Sequence, residues 1–342
     1  MNAAETFCID SSEVSCLKQT NLPAGILAST GLLILILDGS TALAGARDGI
    51  DLCIKTVIPS LFPFFFLSVL MTNSFSAYSF SILKPLAAIT GIPDGCEPIL
   101  FAGFLGGYPA GAQCIASAYS SGHLKKETAE RMLSFCNNAG PAFLFGIVGG
   151  MFETTAAVFS LWGIHILSAL LVSLLTPSIP DISVNSVKLQ TSRPDAMRSA
   201  LRTIGAVCGW VILFRIIISF LDSWFLWLLP TTGQVILKGS LELSNGCCSL
   251  SEIANSQMRF IVCSGLLSLG GLCVAMQTKS VLSELSILPY LKGKVLQTLF
   301  SVLLSTATVL RAFPVTIVIL IPVIVFLQKR KIKGSNSAAV AV

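Results

Sequence analysis

Residues 103–113 read GFLGGYPAGAQ, and residues 225–249 read FLWLLPTTGQVILKGSLELSNGCCS. Both stretches are too apolar for an ordinary surface loop. Both are also too rich in glycine and proline for a helix facing lipid. Gly103, Gly106, Gly107, Pro109 and Gly111 crowd the first, and Pro230, Gly233, Gly239 and Gly246 punctuate the second. Each glycine costs such a helix about 1 kcal/mol, and a mid-helix proline about 3. A broken backbone frees N–H and C=O groups, which survive at membrane depth only inside protein or beside a wet cavity. Two re-entrant hairpins satisfy that condition, one over 98–122 with its tip at Gly107–Gly111 and one over 225–249. Glu242 sits among apolar residues in the second. A carboxylate at membrane depth is a functional candidate by default.

The composition outside these stretches says why a membrane is the setting. The chain has 342 residues, 54% of them hydrophobic and only 11% charged. Soluble domains carry roughly 25% charge, so an ordinary globular protein and a disordered chain are both excluded. The net charge of +5 is small and scattered, which gives no phosphate-tracking surface and no nucleic-acid partner. The partner is a lipid bilayer. Residues 1–21 are polar and slightly acidic, with no basic n-region or cleavage site, and read as a cytoplasmic tail. Of the eleven cysteines most lie in apolar runs, without metal-ligand spacing, and read as packing residues. No Walker motif, dinucleotide fingerprint or nucleophile elbow is visible. Neither catalysis, a metal nor a cofactor is expected.

A spanning helix needs about 20 largely apolar residues. Runs with almost no charge occupy 22–37, 56–83, 98–122, 142–176, 203–221, 260–278 and 295–328. The run 142–176 divides near Glu153. The run 295–328 would make a helix of about 51 Å, too long for a core of roughly 30 Å, and divides at Arg311–Pro314. With both hairpins turning back, eight crossings result. Four basic segments then share the cytoplasmic side. They are 123–131, 177–202, 279–294 with Lys279, Lys292 and Lys294, and the tail after Leu327 that reads QKRKIK.

Each hairpin precedes an interrupted helix. The first reads RMLSFCNNAGPAFLFGIVGG from Arg131, with Asn137, Asn138, Gly140 and Pro141 at its middle. Two amides inside an apolar helix need partners, and Pro141 removes a backbone hydrogen bond. The second reads RFIVCSGLLSLGGLCVAMQT from Arg259, with Gly270, Gly271 and Gln277. The order helix, hairpin, broken helix, helix therefore occurs twice. The first transmembrane helix is assigned to 22–47, repeat 1 to 48–176, a cytoplasmic linker to 177–199, repeat 2 to 200–328 and a basic tail to 329–342. Each repeat makes three crossings, so the second is inverted. The fold class is an all-α polytopic membrane protein of inverted-repeat transporter architecture, whose broken helices meet near the midplane and build the site. Tyr108, Gln113, Asn137, Asn138, Glu242, Asn245 and Gln277 are expected to converge on one cavity. Gly107, Pro109, Gly111, Gly140, Pro141, Gly246, Gly270 and Gly271 shape its backbone. His165, alone in an apolar helix, reads as a packing residue. Lys55, Arg215 and Arg311 are the cations within apolar runs, and Arg215 is expected to pair with an acid or reach an interface.

GFLGGYPAGAQ, SGHLKKETAERMLSFCNNAGPAFLFGIVGGMF, LELSNG and GGLCVAMQTKSVL together resemble the sporulation integral membrane protein family called YlbJ. The resemblance runs from about residue 40 to about residue 310. It implies membership of the nucleoside-recognition, or Gate, domain group. That group is similar to concentrative nucleoside transporters and to the membrane part of FeoB iron transporters. It implies a spore-forming bacterium and carriage of an anionic small molecule, dipicolinic acid, across the outer forespore membrane. In nucleoside transporters the first hairpin tip carries a Gln and a Glu; here Tyr108-Pro109-Ala110-Gly111 has no acid, which argues against a nucleoside. Glu242 falls where those transporters carry an acid, and is expected to be a protonation or cation site. A nucleoside or other small-solute transporter is one alternative, and a sporulation membrane scaffold without transport is another. Oligomeric state is not readable from the residues.

Overall fold

A computed structural model describes residues 22–75, 81–176, 196–312, 314, 316 and 318. Every regular element among them is a helix, and the protein is an all-α membrane protein. The tail 1–21, most of the linker 177–199, the basic tail and most of the proposed crossing 314–327 lie outside the described residues.

The chain enters through α1 (Leu22–Leu37) and breaks at Asp38. That carboxylate accepts from the Thr41 N–H at 3.2 Å and so caps α2 (Gly39–Leu52). A π-helical turn over Cys53–Val57 carries α2 directly into α3 (Ile58–Phe75). The first break, at Asp38, falls where the apolar run 22–37 ends and inside the segment 22–47 assigned to the first helix, and the mixed-polarity stretch 39–55 is part of a long helix. The reason lies in its neighbour. Gly45 and Gly49, one turn apart, pack against the helix Ala196–Trp224, where a Cβ on either would come within 2.9 Å of the Cα of Ile216 or Ile212. Small residues at this spacing let helix backbones approach closely.

Next come α4 (Lys84–Thr90), α5 (Glu97–Phe101) with a π-helical turn over Ala102–Gly106, and α6 (Ala110–Ser120). The interrupted region follows as α7 (Lys126–Leu133), an extended stretch, and α8 (Pro141–Gly146). A 3-10 turn over Val148–Met151 leads to α9 (Thr155–Leu175). The second half has α10 (Ala196–Trp224), α11 (Thr231–Leu241), α12 (Leu243–Cys248), α13 (Ser256–Leu269), α14 (Gly271–Val281) and α15 (Leu288–Val309).

Four stretches among the described residues are long and apolar enough to cross a bilayer: Gly39–Leu67, Thr155–Leu175, Ala196–Trp224 and Ser256–Val281. After α15 the chain turns at Arg311, whose φ is 57°. Large apolar side chains such as Leu32, Ile36, Leu213 and Leu299 stand exposed, as lipid-facing residues do.

Both glycine-rich regions are helix–break–helix units whose arms touch. A Cβ on Gly111 would lie 2.8 Å from the Gly103 Cα, and a Cβ on Gly246 would lie 2.1 Å from the Gly239 Cα. The first unit turns at Gly107–Pro109 and the second at Glu242.

Candidate functional site

The two hairpin tips meet the two helix breaks. Gly107, with φ 79°, rests on Gly140, where a Cβ would be 3.0 Å from the Gly107 Cα. Gly140 precedes Pro141 at the first turn of α8, a position where proline's missing N–H costs nothing. In the second half Gly271 abuts the end of α11, where a Cβ would be 2.8 Å from the Gly239 carbonyl oxygen. Gly270 and Gly271 have φ 75° and 80°, conformations that only glycine adopts without strain. They separate α13 from α14.

Beside Gly107, Gly140 and Glu242 lies a cavity of about 40 Å³, room for a few water molecules. Gly107, Tyr108, Gly140, Glu242, Ser244 and Gln277 face it, with Phe65, Phe143, Val207 and Val211 as apolar walls. A second cavity of about 120 Å³ adjoins it, lined in part by Pro109, Gln113, Arg202, Trp210 and Ser280. Gln277 and Val207 border both.

Glu242 is buried at 2% exposure and precedes α12. Its carboxylate accepts from the Ser244 N–H at 3.0 Å and from the Asn245 N–H and Nδ2 at 2.7 Å each. Asn245 thus serves Glu242 and does not line either cavity. The carboxylate is a helix cap as well as a cavity wall.

The asparagine pair lies behind the cavity. Asn137 donates from Nδ2 to Thr278 Oγ1 at 2.9 Å and accepts at Oδ1 from the Ala112 N–H at 3.4 Å. It ties the first interrupted helix to α14 and to the first hairpin. Asn138 donates to the Phe135 carbonyl at 2.7 Å. Its Oδ1 accepts from Gln297 Nε2 at 3.0 Å and from Lys294 Nζ at 3.2 Å. Gly111, Gly246 and Gly271 serve close backbone packing, Gly270 faces the Tyr108 and Tyr290 hydroxyls, and Pro141 starts a helix. Gln113 belongs to the second cavity.

Lys294 departs from the sequence reading. Expected in a basic cytoplasmic loop over 279–294, it sits in α15 and is only 2% exposed. Because α15 begins at Leu288, Tyr290, Gly293, Lys294, Gln297 and Ser301 share its buried face through the i+3 and i+4 spacing of a helix. That spacing was the available signal, and the adjacent Lys292 obscured it. Lys294 Nζ donates to Gln297 Oε1 at 2.8 Å and to the Tyr108 hydroxyl at 3.3 Å. It also stands 5.1 Å from the Tyr108 ring centre and 5.6 Å from that of Tyr290, within cation–π range.

His165 is fully engaged. Its Nε2 accepts from the Ala139 N–H at 3.1 Å, which leaves Nδ1 as the protonated nitrogen, 3.2 Å from Ser268 Oγ. Among the cations singled out in the sequence, Lys55 pairs with Asp51 at 2.6 Å on the surface. Arg215 contacts Asp48 at 2.7 Å and Asp222 at 3.6 Å. Asp222 also receives Lys238 at 3.0 Å. Arg311 is exposed past the end of α15. None of these three lines the central cavity.

No family model matches the chain, and no solved structure matches it. The chain is similar to the sporulation integral membrane protein YlbJ of Bacillus subtilis (strain 168), at 28% identity over 305 residues, covering 75% of this chain and 74% of that protein.

Proposed function

From the chain's kinship with the YlbJ family of sporulation integral membrane proteins, we propose that it is a secondary transporter whose cargo is a small planar dicarboxylate, dipicolinate. It acts in the outer forespore membrane and carries the cargo from mother cell towards forespore. Its two repeats are inverted, with eight crossings and both hairpins re-entrant. One observation supports this reading: both hairpin tips and the Gly140 helix break border one small cavity, and Tyr108, Glu242 and Gln277 stand among its mainly apolar walls. A scaffold has no need for broken helices and a buried carboxylate at the centre of an apolar molecule, whereas a solute site does.

The chemistry suits a planar anion. Tyr108 offers a ring face, and Gln277 and Ser244 offer polar groups. At about 40 Å³ the cavity is too small for a ring bearing two carboxylates. Loading requires the two halves to rock apart, as alternating access demands. Glu242 is the group through which a proton or a cation enters the cycle, since a bare carboxylate beside a dianion repels it.

Uptake of labelled dipicolinate into vesicles containing the purified protein tests the reading. Saturable uptake that unlabelled dipicolinate suppresses and nucleosides do not is the expected result. Uptake of nucleosides alone would overturn the cargo. A folded protein that moves neither would support the scaffold.

A further inference from the structure

We propose that Lys294, Tyr290 and Tyr108 form the carboxylate-binding end of the cargo site, at the Gly270–Gly271 break. The inference rests on the transport reading and goes beyond it by assigning the charge that meets the anion.

The first observation is a buried lysine with no acidic partner. Lys294 is buried, and none of the ion pairs among the described residues includes it. Its three hydrogen-bond partners, Tyr108, Asn138 and Gln297, are all neutral acceptors. Removing an ammonium from water without an opposite charge is costly. Inside a membrane protein such a residue marks a functional site by default. Lys55 and Arg215 are held in ion pairs and Arg131 on backbone carbonyls, while Arg202 lines the second cavity.

The second observation is an unmatched hydroxyl. Tyr290 is 1% exposed and its hydroxyl makes no close hydrogen bond, with the Thr278 side chain standing nearby. Leaving a buried hydroxyl unpaired costs stability. Tyr290 and Lys294 are four residues apart on α15 and project from one face. The hydroxyls of Tyr290 and Tyr108 both approach Gly270, where a Cβ would lie 3.5 Å from the first and 3.2 Å from the second. Glycine keeps that space clear of a side chain. One lysine and two phenols therefore converge on a helix break; the Tyr108 hydroxyl accepts from Lys294 and donates to the Leu267 carbonyl at 3.2 Å, so of the two phenols only Tyr290 is left without a close acceptor.

The third observation is continuity with the cavity. Tyr108 lines the central cavity while its hydroxyl reaches Lys294. The ring is the partition between the two. When it moves, a carboxylate entering from the cavity replaces the Tyr108 hydroxyl on Lys294 Nζ and gives the Tyr290 hydroxyl an acceptor. A charge-assisted hydrogen bond takes the place of a neutral one.

Binding to the purified full-length protein provides the test, with dipicolinate and its uncharged analogue pyridine-2,6-dicarboxamide as probes. Lys294→Met should weaken dipicolinate about tenfold or more and leave the diamide unchanged. Tyr290→Phe removes only a hydroxyl that makes no close hydrogen bond in the protein. If that hydroxyl had no ligand, its loss would leave binding unchanged and stability equal or higher. We expect dipicolinate to weaken by about threefold to tenfold, with thermal stability retained. Wild-type binding of dipicolinate that both variants reproduce would overturn this assignment alone. An equal loss of both probes in Lys294→Met, with no effect of Tyr290→Phe, would also overturn it and assign Lys294 to packing. A folded wild type that binds neither probe would overturn the transport reading, and this assignment with it.

Discussion

Gly246 has no space for even a methyl group. A Cβ there would sit 2.1 Å from the Gly239 Cα, and a backbone atom cannot rotate aside. Gly246→Ala should therefore destabilise the protein by about 2 kcal/mol or more, as overpacking does. Gly150→Ala is the matched control, because nothing lies within 4 Å of that position. Melting in detergent should separate the two, and equal melting points would contradict the hairpin geometry. Glu242 poses a different question. Its oxygens accept three N–H donors of its own hairpin. Glutamine retains one acceptor oxygen, so Glu242→Gln should cost about 1 kcal/mol of stability and still bind cargo. If Glu242 couples protons to cargo, the two affect each other by the same free energy, and the variant should lose the pH dependence of binding. Dipicolinate titrations across pH decide this, and an unchanged pH profile would remove Glu242 from the coupling. The glycines, the tyrosine at the tip and the lone acid were legible as special residues, because each breaks a rule of lipid-facing helices. Lys294 was not, because its partners Tyr108 and Asn138 lie 186 and 156 residues away in sequence.

Between elements, Arg131 makes the clearest joint. Its guanidinium is 8% exposed and donates to the carbonyls of Thr90 and Gly91 at the end of α4, and of Ser173 and Thr176 at the end of α9. The last carbonyls of a helix lack partners within it and attract cations. Arg131→Met leaves several of these oxygens buried and unpaired, so a loss of about 2–4 kcal/mol is expected. Arg131→Lys should rescue only part of it, since an ammonium lacks the planar fork that reaches four acceptors. Thermal melts of the two variants check this; full rescue by lysine would mean that charge alone matters. Arg131 was legible only as a loop charge. The C-terminal ends it joins come from separate parts of the chain. The pairing of α2 with α10 was equally hidden. Gly45 and Gly49 announce a close helix contact, but nothing local says with which helix.

The whole molecule raises the question of sidedness. Two of the basic residues used to orient the chain, Arg131 and Lys294, are buried in protein. The remaining basic residues still favour one side for the linker, the 279–294 segment and the tail. Single cysteines placed near Arg193 and near Lys331 in a cysteine-free background should therefore react with an impermeant thiol reagent from the same face, the cytoplasmic one. Labelling from opposite faces would exclude eight crossings. By itself the sequence determined that the protein is helical and lives in a bilayer, because a chain with so few charges cannot cover a soluble surface and must satisfy its backbone internally. It determined where helices break, since glycine and proline act on the backbone within a few residues of themselves. Only the tertiary structure decided which breaks face one another, that the asparagines lie behind the cavity, and that a lysine counted as a loop charge is buried beside Tyr108. Those outcomes depend on contacts between residues far apart in the chain, and burial is a property of neighbours, which a hydropathy pattern does not contain.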